Sequence, residues 1–159
     1  MSAPDVPAVS GSDVPAPPDG RHRYRTRVQW VDTDASGRIH FTAAFRWAEA
    51  AEHDLLQRQD HVFAGGFPRV DARATYIERL GFGDEVEVVL GTERVGRSSI
   101  TYRWVIQRDG VVCVRGRHVA VYVPDGSCAA ELPSPLRATL TAMAWGDAGG
   151  AAGGAPGGS

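Results

Sequence analysis

The sequence predicts an α+β domain in which a five-stranded antiparallel sheet wraps around one long central helix, with a short C-terminal helix. Three observations carry this expectation. Segment 42–59 has strong helix composition with no Gly or Pro. Five other segments repeat apolar residues with a period of two, or run apolar throughout. Turn-forming Gly, Asp and Pro residues punctuate the chain between them. An antiparallel sheet has one face to bury, and the only large apolar helix in the chain is there to cover it.

The elements follow in order. Residues 1–20 are rich in Pro, Ala, Ser and Asp without periodicity, and read as a disordered leader. Segment 24–31 sets Tyr24, Thr26, Val28 and Trp30 against Arg25, Arg27 and Gln29, the alternation of a half-buried strand. A turn-rich loop, residues 32–37, leads to the long helix. Thr42 is its expected cap, and Phe45, Ala48, Ala51, Glu52, Leu55 and Leu56 form one stripe. At the usual rise per residue this helix is about 27 Å long. Four strands are expected at 68–80, 84–94, 98–108 and 111–123, joined as a meander, with Asp109-Gly110 as a two-residue hairpin turn. The last helix is expected at 135–144, with Ser134 as its cap and Pro135 in first position. Residues 146–159 read as a flexible Gly/Ala tail, which leaves a single folded domain over 22–145.

Composition excludes several chemistries. The chain has 159 residues and a formal net charge of -2, too little field to hold nucleic acid or an anionic membrane. All 17 basic residues are arginine. Without lysine there is no Schiff base, no lysine general base and no Walker loop. The two cysteines, Cys113 and Cys128, lack metal-knuckle or redox spacing. Cys113 reads as core packing, and reduced thiols in a cytoplasm are the expectation. No apolar run is long enough to span a bilayer, and no signal peptide is recognisable. The five histidines show no metal-ligand spacing, so a metal enzyme is not expected and no cofactor is called for; no Gly-x-Ser-x-Gly elbow is present, so a serine hydrolase is not expected either.

The loop before the long helix carries the candidate chemistry. Asp34 precedes a helix N-terminus, where unpaired backbone N–H groups and the positive end of the dipole favour negative charge. Such N–H groups also serve as an oxyanion hole. One junction thus offers an attacking or proton-accepting carboxylate and a place for developing charge. The alternative is that Asp32 and Asp34 only build Asx-turns.

The stretch Val31-Asp-Thr-Asp-Ala-Ser-Gly-Arg-Ile-His-Phe-Thr-Ala-Ala-Phe-Arg-Trp47 resembles the 4-hydroxybenzoyl-CoA thioesterase family of hotdog-fold acyl-CoA thioesterases. The family pattern is Asp-x-Asp-x-x-Gly, an apolar pair, an aromatic, and a helix opening with Phe-Arg-Trp or similar. Gly83-Asp84 before a Val-rich strand and the pair Arg97-Ser98 also look like that family, and the similarity covers roughly residues 24–140. The resemblance implies a hotdog fold and hydrolysis of an acyl-CoA or acyl-carrier-protein thioester. It implies that Asp34 is the catalytic carboxylate, that the Phe41 backbone N–H is the oxyanion hole, and that Gly37 lets the chain approach the substrate. His40 departs from the pattern: some relatives place an aromatic there, and others a histidine one position later. It either orients substrate or water, or packs at the loop. A sister hotdog class carries its carboxylate on the helix, which makes Glu49 and Glu52 alternatives; Glu49 has Arg46 or Arg73 as possible ion-pair partners instead. The turn holding Arg94, Arg97 and Ser98 corresponds to one that contacts the nucleotide of coenzyme A, with a solvated hairpin as the plainer reading. Trp30, Phe41, Phe45, Trp47, Phe63, Phe67 and Tyr76 supply an acyl pocket, a core or a subunit interface. His118 reads as a packed histidine.

Two other functions remain open at this level. One is a hotdog dehydratase or hydratase, which needs a histidine with an acidic partner at a helix; His40 with Glu49 is its candidate pair. The other is a non-catalytic acyl-binding protein. The resemblance also implies a homodimer or homotetramer, since the family builds its site between subunits.

Overall fold

A computed structural model describes residues 19–58 and 66–146. The expected leader and tail therefore lie outside the described residues except at their inner edges, as do Phe63 and the last expected helix residue, Gln59. The elements are β1 (His22–Arg27), α1 (Phe41–Arg58), β2 (Arg69–Tyr76), β3 (Glu85–Val95), β4 (Ser99–Arg108), β5 (Val111–Val121) and α2 (Ser134–Ala142). They build one sheet in the order β1-β3-β4-β5-β2, with every neighbouring pair antiparallel.

This order corrects the expected four-strand meander. Only β3, β4 and β5 are joined by successive hairpins. β2 crosses to pair with β5, because β1 already occupies the free edge of β3. The hairpin at Asp109-Gly110 forms as expected, with both residues at positive φ (51° and 78°). That conformation matches the twist of the flanking strands.

The core lies between α1 and the concave face of the sheet. Ala44, Ala48 and Ala51 are small enough to let the helix lie close, and Trp47, Leu55 and Leu56 flank them. From the sheet come Val86, Val88 and Leu90, then Ile100, Tyr102, Trp104 and Ile106. Gly116 makes room for Trp104, its cross-strand partner: a Cβ there would stand 2.2 Å from the indole. Phe45 meets the Trp104 ring edge-on at 5.9 Å.

The expected inner faces of the two edge strands are only partly realised. Trp30 lies outside β1 and is 76% exposed, because the chain turns at Trp30–Asp32 into a single 3-10 turn held by the Asp32 side chain. On β2, a register shift between Arg69 and Asp71 turns Val70 outward, and Tyr76 is also exposed. β2 is the last strand of the sheet, and no strand among the described residues pairs with its outer edge. Neither helix is capped as expected. α1 begins at Phe41, so His40 precedes it and Thr42 sits inside its first turn. α2 begins at Ser134 with Pro133 before it, which moves Pro135 to the second position.

One polar chain crosses the core. Trp104 Nε1 donates to His118 Nδ1 at 3.1 Å, which leaves the His118 proton on Nε2 to donate to Glu52 Oε2 at 2.9 Å. Arg69 Nη2 donates to the same carboxylate oxygen at 2.8 Å. His118 is thus the packed histidine expected, and the acid on the apolar stripe of α1 is its partner. Glu52 Oε1 and the Tyr102 hydroxyl are buried without a hydrogen-bond partner among the described residues. Burial, and then the charge of Glu52, push the Tyr102 phenol well above its usual range. Cys113 is buried and Cys128 exposed, both as free thiols. Among the described residues no helix is long and apolar enough to cross a membrane.

Candidate active site

The loop between β1 and α1 is pinned at both ends by Asp32. Its Oδ2 accepts the Gln29 N–H at 2.9 Å, and its Oδ1 accepts Arg46 Nη2 from α1 at 2.7 Å. The His40 N–H donates to its carbonyl at 2.7 Å. This buried carboxylate is therefore structural. Arg46, one suggested partner of Glu49, is committed to it.

Between those pins the chain makes a tight turn. The Asp34 N–H reaches the Arg38 carbonyl, and the Gly37 N–H reaches the Asp34 carbonyl at 3.0 Å. Gly37 adopts φ +73°, which strains any residue with a Cβ. The glycine is required by the turn itself, and its carbonyl lies near Gly81. Asp34 is exposed on this turn. Its Oδ1 accepts the Ser36 N–H at 2.8 Å and the Ser36 hydroxyl at 2.5 Å. The Asx-turn alternative is thus realised, and it coexists with an accessible carboxylate. The hydrogen bonds from Ser36, hydroxyl first, hold the Asp34 carboxyl below its ordinary pKa, and His40 and Arg38 act in the same direction. It is ionised throughout the neutral range and is a weaker base than free aspartate.

His40 stands at the mouth of α1. Its Nδ1 lies 2.7 Å from Thr42 Oγ1 and accepts the Thr42 N–H at 3.4 Å. Because Nδ1 accepts that N–H it carries no proton, so the Thr42 hydroxyl donates to it, while Arg46 Nη1 donates to the hydroxyl oxygen at 3.2 Å. The ring proton of the neutral imidazole is then on Nε2. His40 takes the capping role expected of Thr42, and its ring lies 4.6 Å from that of Phe41. No hydrogen bond among the described residues takes the Phe41 N–H. The Phe41 carbonyl accepts the Tyr76 hydroxyl from β2, a tie that sequence reasoning missed. The Phe41 ring is 61% exposed. Trp30 and Phe82 are exposed as well and meet edge-to-face at 5.9 Å. Phe45 and Phe67 are partly buried against the core, and Trp47 belongs to it.

The two helix carboxylates stand apart from this turn. Glu49 is about 12 Å along α1 from Phe41 and pairs with Arg69 Nη1 at 3.1 Å. That pairing replaces both suggested partners. His40 and Glu49 stand nine residues apart along α1, about 14 Å at the helical rise, so the dehydratase pair is not assembled within one chain. Glu52 lies deeper and is fully buried.

The arginine turn is remote within one chain. The Asp34 loop abuts the start of β3, where the Ile39 N–H reaches the Leu80 carbonyl and the Val28 N–H reaches that of Asp84. Arg94 and Arg97 lie at the other end of β3, roughly 30 Å away at the rise of a strand. Both side chains are exposed. Arg97 makes one loose ion pair, to Glu131 at 3.6 Å. The turn is firmly held: the Gly96 and Arg97 carbonyls each accept a hydrogen bond from Arg137 on α2, and the Ser98 carbonyl accepts the Tyr122 N–H.

Comparison with known proteins bears on this geometry. A family model described as "Thioesterase superfamily" matches residues 36–114. A 1,4-dihydroxy-2-naphthoyl-CoA hydrolase of Parasynechococcus marenigrum (strain WH8102) is 27% identical over 145 residues, covering 81% of this chain and 95% of that protein. A predicted thioesterase from Bacillus stearothermophilus is similar in structure with a TM-score of 0.70 and 27% identity, covering 79% of this chain and 97% of that one. A Thermus thermophilus thioesterase complexed with coenzyme A and Zn aligns with a TM-score of 0.68 and 27% identity, over 77% of this chain and 92% of that one.

Proposed function

From the premise that this chain belongs to the thioesterase superfamily, we propose that it hydrolyses an acyl-CoA thioester and releases the carboxylic acid. The observation that carries the residue assignment is the junction at α1. A Phe41 N–H with no partner among the described residues opens the helix, and an ionised, accessible Asp34 sits on the turn just before it. In this reading the thioester carbonyl oxygen takes the Phe41 N–H, where the helix dipole also favours the developing oxyanion. Asp34 acts on the carbonyl carbon directly or through a water. His40, held in one tautomer by Thr42, keeps the helix mouth in place and leaves Nε2–H free to orient substrate or water.

The named relatives that hydrolyse 1,4-dihydroxy-2-naphthoyl-CoA suggest an aromatic acyl group. The uncovered rings of Phe41, Trp30 and Phe82 support that choice. The strand-length separation of Asp34 from Arg94 and Arg97 supports a homodimer or homotetramer in which a partner's turn meets the coenzyme A nucleotide. The bare β2 edge and exposed aromatics are the surfaces such a partner would cover.

The test is hydrolysis of a panel of acyl-CoAs, read by a thiol reagent. Asp34→Asn keeps the turn's acceptor oxygen and removes the charge. The expected loss in kcat is about 10²–10⁴, the range for a positioned base, with little change in Tm. Near-normal turnover in Asp34→Asn, with Glu49→Gln inactive, would move the carboxylate to the helix.

A further inference from the structure

The convex face of the sheet, opposite α1, carries a group of arginines that the hydrolytic site does not use. Arg103 on β4, Arg117 on β5 and Arg73 on β2 are direct cross-strand partners. Their Cβ atoms stand about 5 Å apart in sequence across the sheet. Arg115, two residues from Arg117, lines the same hollow. Like charges directly opposite one another destabilise a sheet unless something compensates them.

Elsewhere on this face the compensation is built in. Arg23 and Arg25 share Glu87 at 3.4 and 3.8 Å. The arginine row has little of this. Arg73 reaches Asp71 at 3.4 Å. Arg103 lies over the Trp145 ring at 5.1 Å. Among the described residues Arg103, Arg115 and Arg117 have no carboxylate within ion-pair distance, although Glu93 also lines the hollow. Arg117 Nε is buried and has no hydrogen-bond partner among the described residues. Four arginines set against Glu93 and Asp71 leave a formal excess of two positive charges.

The row borders a hollow of about 350 Å³ with Val105 among its apolar lining. That volume falls within the range of small-molecule sites. Guanidinium groups bind phosphate oxygens in pairs, and two free charges match a diphosphate better than a carboxylate. A second copy docking through the same face would set this row against its like. We propose that this hollow is an anion site for a small diphosphate, either free or carried by a nucleoside, separate from the hydrolytic junction.

The test is titration calorimetry on the full chain with inorganic pyrophosphate and with ADP, at low and moderate salt. Neither probe contains a thioester, but ADP is also the nucleotide end of coenzyme A, so the same titrations are run on Arg97→Glu. Binding that survives this change and is lost with the arginine row belongs to the hollow, and binding lost with Arg97 belongs to the proposed coenzyme A contact. Saturable binding is expected at one site per chain, weakening as salt rises. Arg103→Gln with Arg117→Gln should weaken it at least about tenfold, as expected for lost charge-assisted hydrogen bonds. Glu93→Gln should tighten it, and Arg25→Gln on the same face should leave it unchanged. Tighter binding of ADP than of pyrophosphate would identify a nucleoside-borne occupant; equal binding would identify the free diphosphate. No saturable heat from either probe, or a double variant that binds as the parent does, overturns the proposal.

Discussion

Gly116→Ala tests the packing that holds the sheet to the helix. The added Cβ would stand 2.2 and 2.3 Å from two carbons of the Trp104 ring and 2.7 Å from the Arg73 carbonyl oxygen. An ordinary contact is at least 3.4 Å, so the ring must move by more than an ångström or the strands must part. The ring has little freedom to move. Trp104 is fully buried, meets Phe45 edge-on, and donates its Nε1–H to His118. Overpacking a core costs about 1–3 kcal/mol. Breaking the bond to His118 strands a buried acceptor at a further ~1–3 kcal/mol. The expected destabilisation is therefore about 2–6 kcal/mol, or a Tm drop on the order of 10 °C for a chain of this size. Urea unfolding followed by tryptophan fluorescence measures it. Trp104→Phe shortens the ring and removes the donor, so the double variant should cost clearly less than the sum of the two single changes. A Gly116→Ala protein within about 0.5 kcal/mol of the parent would refute the argument, as would strict additivity with Trp104→Phe.

Three other outcomes follow from the same geometry. Arg97→Glu should raise KM for acyl-CoA and spare an acyl-pantetheine substrate, because only uniform binding of the nucleotide is lost; equal damage to both substrates would remove Arg97 from the nucleotide contact. Light scattering at micromolar concentration should give at least twice the 17.0 kDa chain mass, and a monomer would leave the exposed aromatics and the β2 edge without their proposed cover. His22 has its pKa lowered by burial, only partly offset by Asp54 at 2.8 Å. The unfolded chain therefore binds this proton more readily than the folded one. Its contribution to stability is present above the unfolded value of about 6.5 and is lost as pH falls below it. Tm should fall between pH 7 and 5, and His22→Gln should flatten that slope.

The period-two alternation of β3 and β4 and the long Gly-free helix are local patterns, so the number and kind of elements were legible in the chain itself. So was the hairpin at Asp109-Gly110, because positive φ at both central positions is a local requirement. The loop ahead of α1 was legible as a turn because Gly37 and the Asx residues act over a few residues only. Resemblance added the family, which neither composition nor period could supply. What needed the tertiary structure depends on which strands become neighbours. Strand order decided that β2 lies beside β5, that Arg73, Arg117 and Arg103 form one row, and that Trp104 faces a glycine. Burial decided the partners of the charged groups. Asp32 takes Arg46, Glu49 takes Arg69, and Glu52 takes His118 and Arg69, pairs separated by 14 to 66 positions in the chain. A charge leaving water takes whichever opposite group the packing brings within reach, and that is settled by the assembled fold rather than by spacing along the chain.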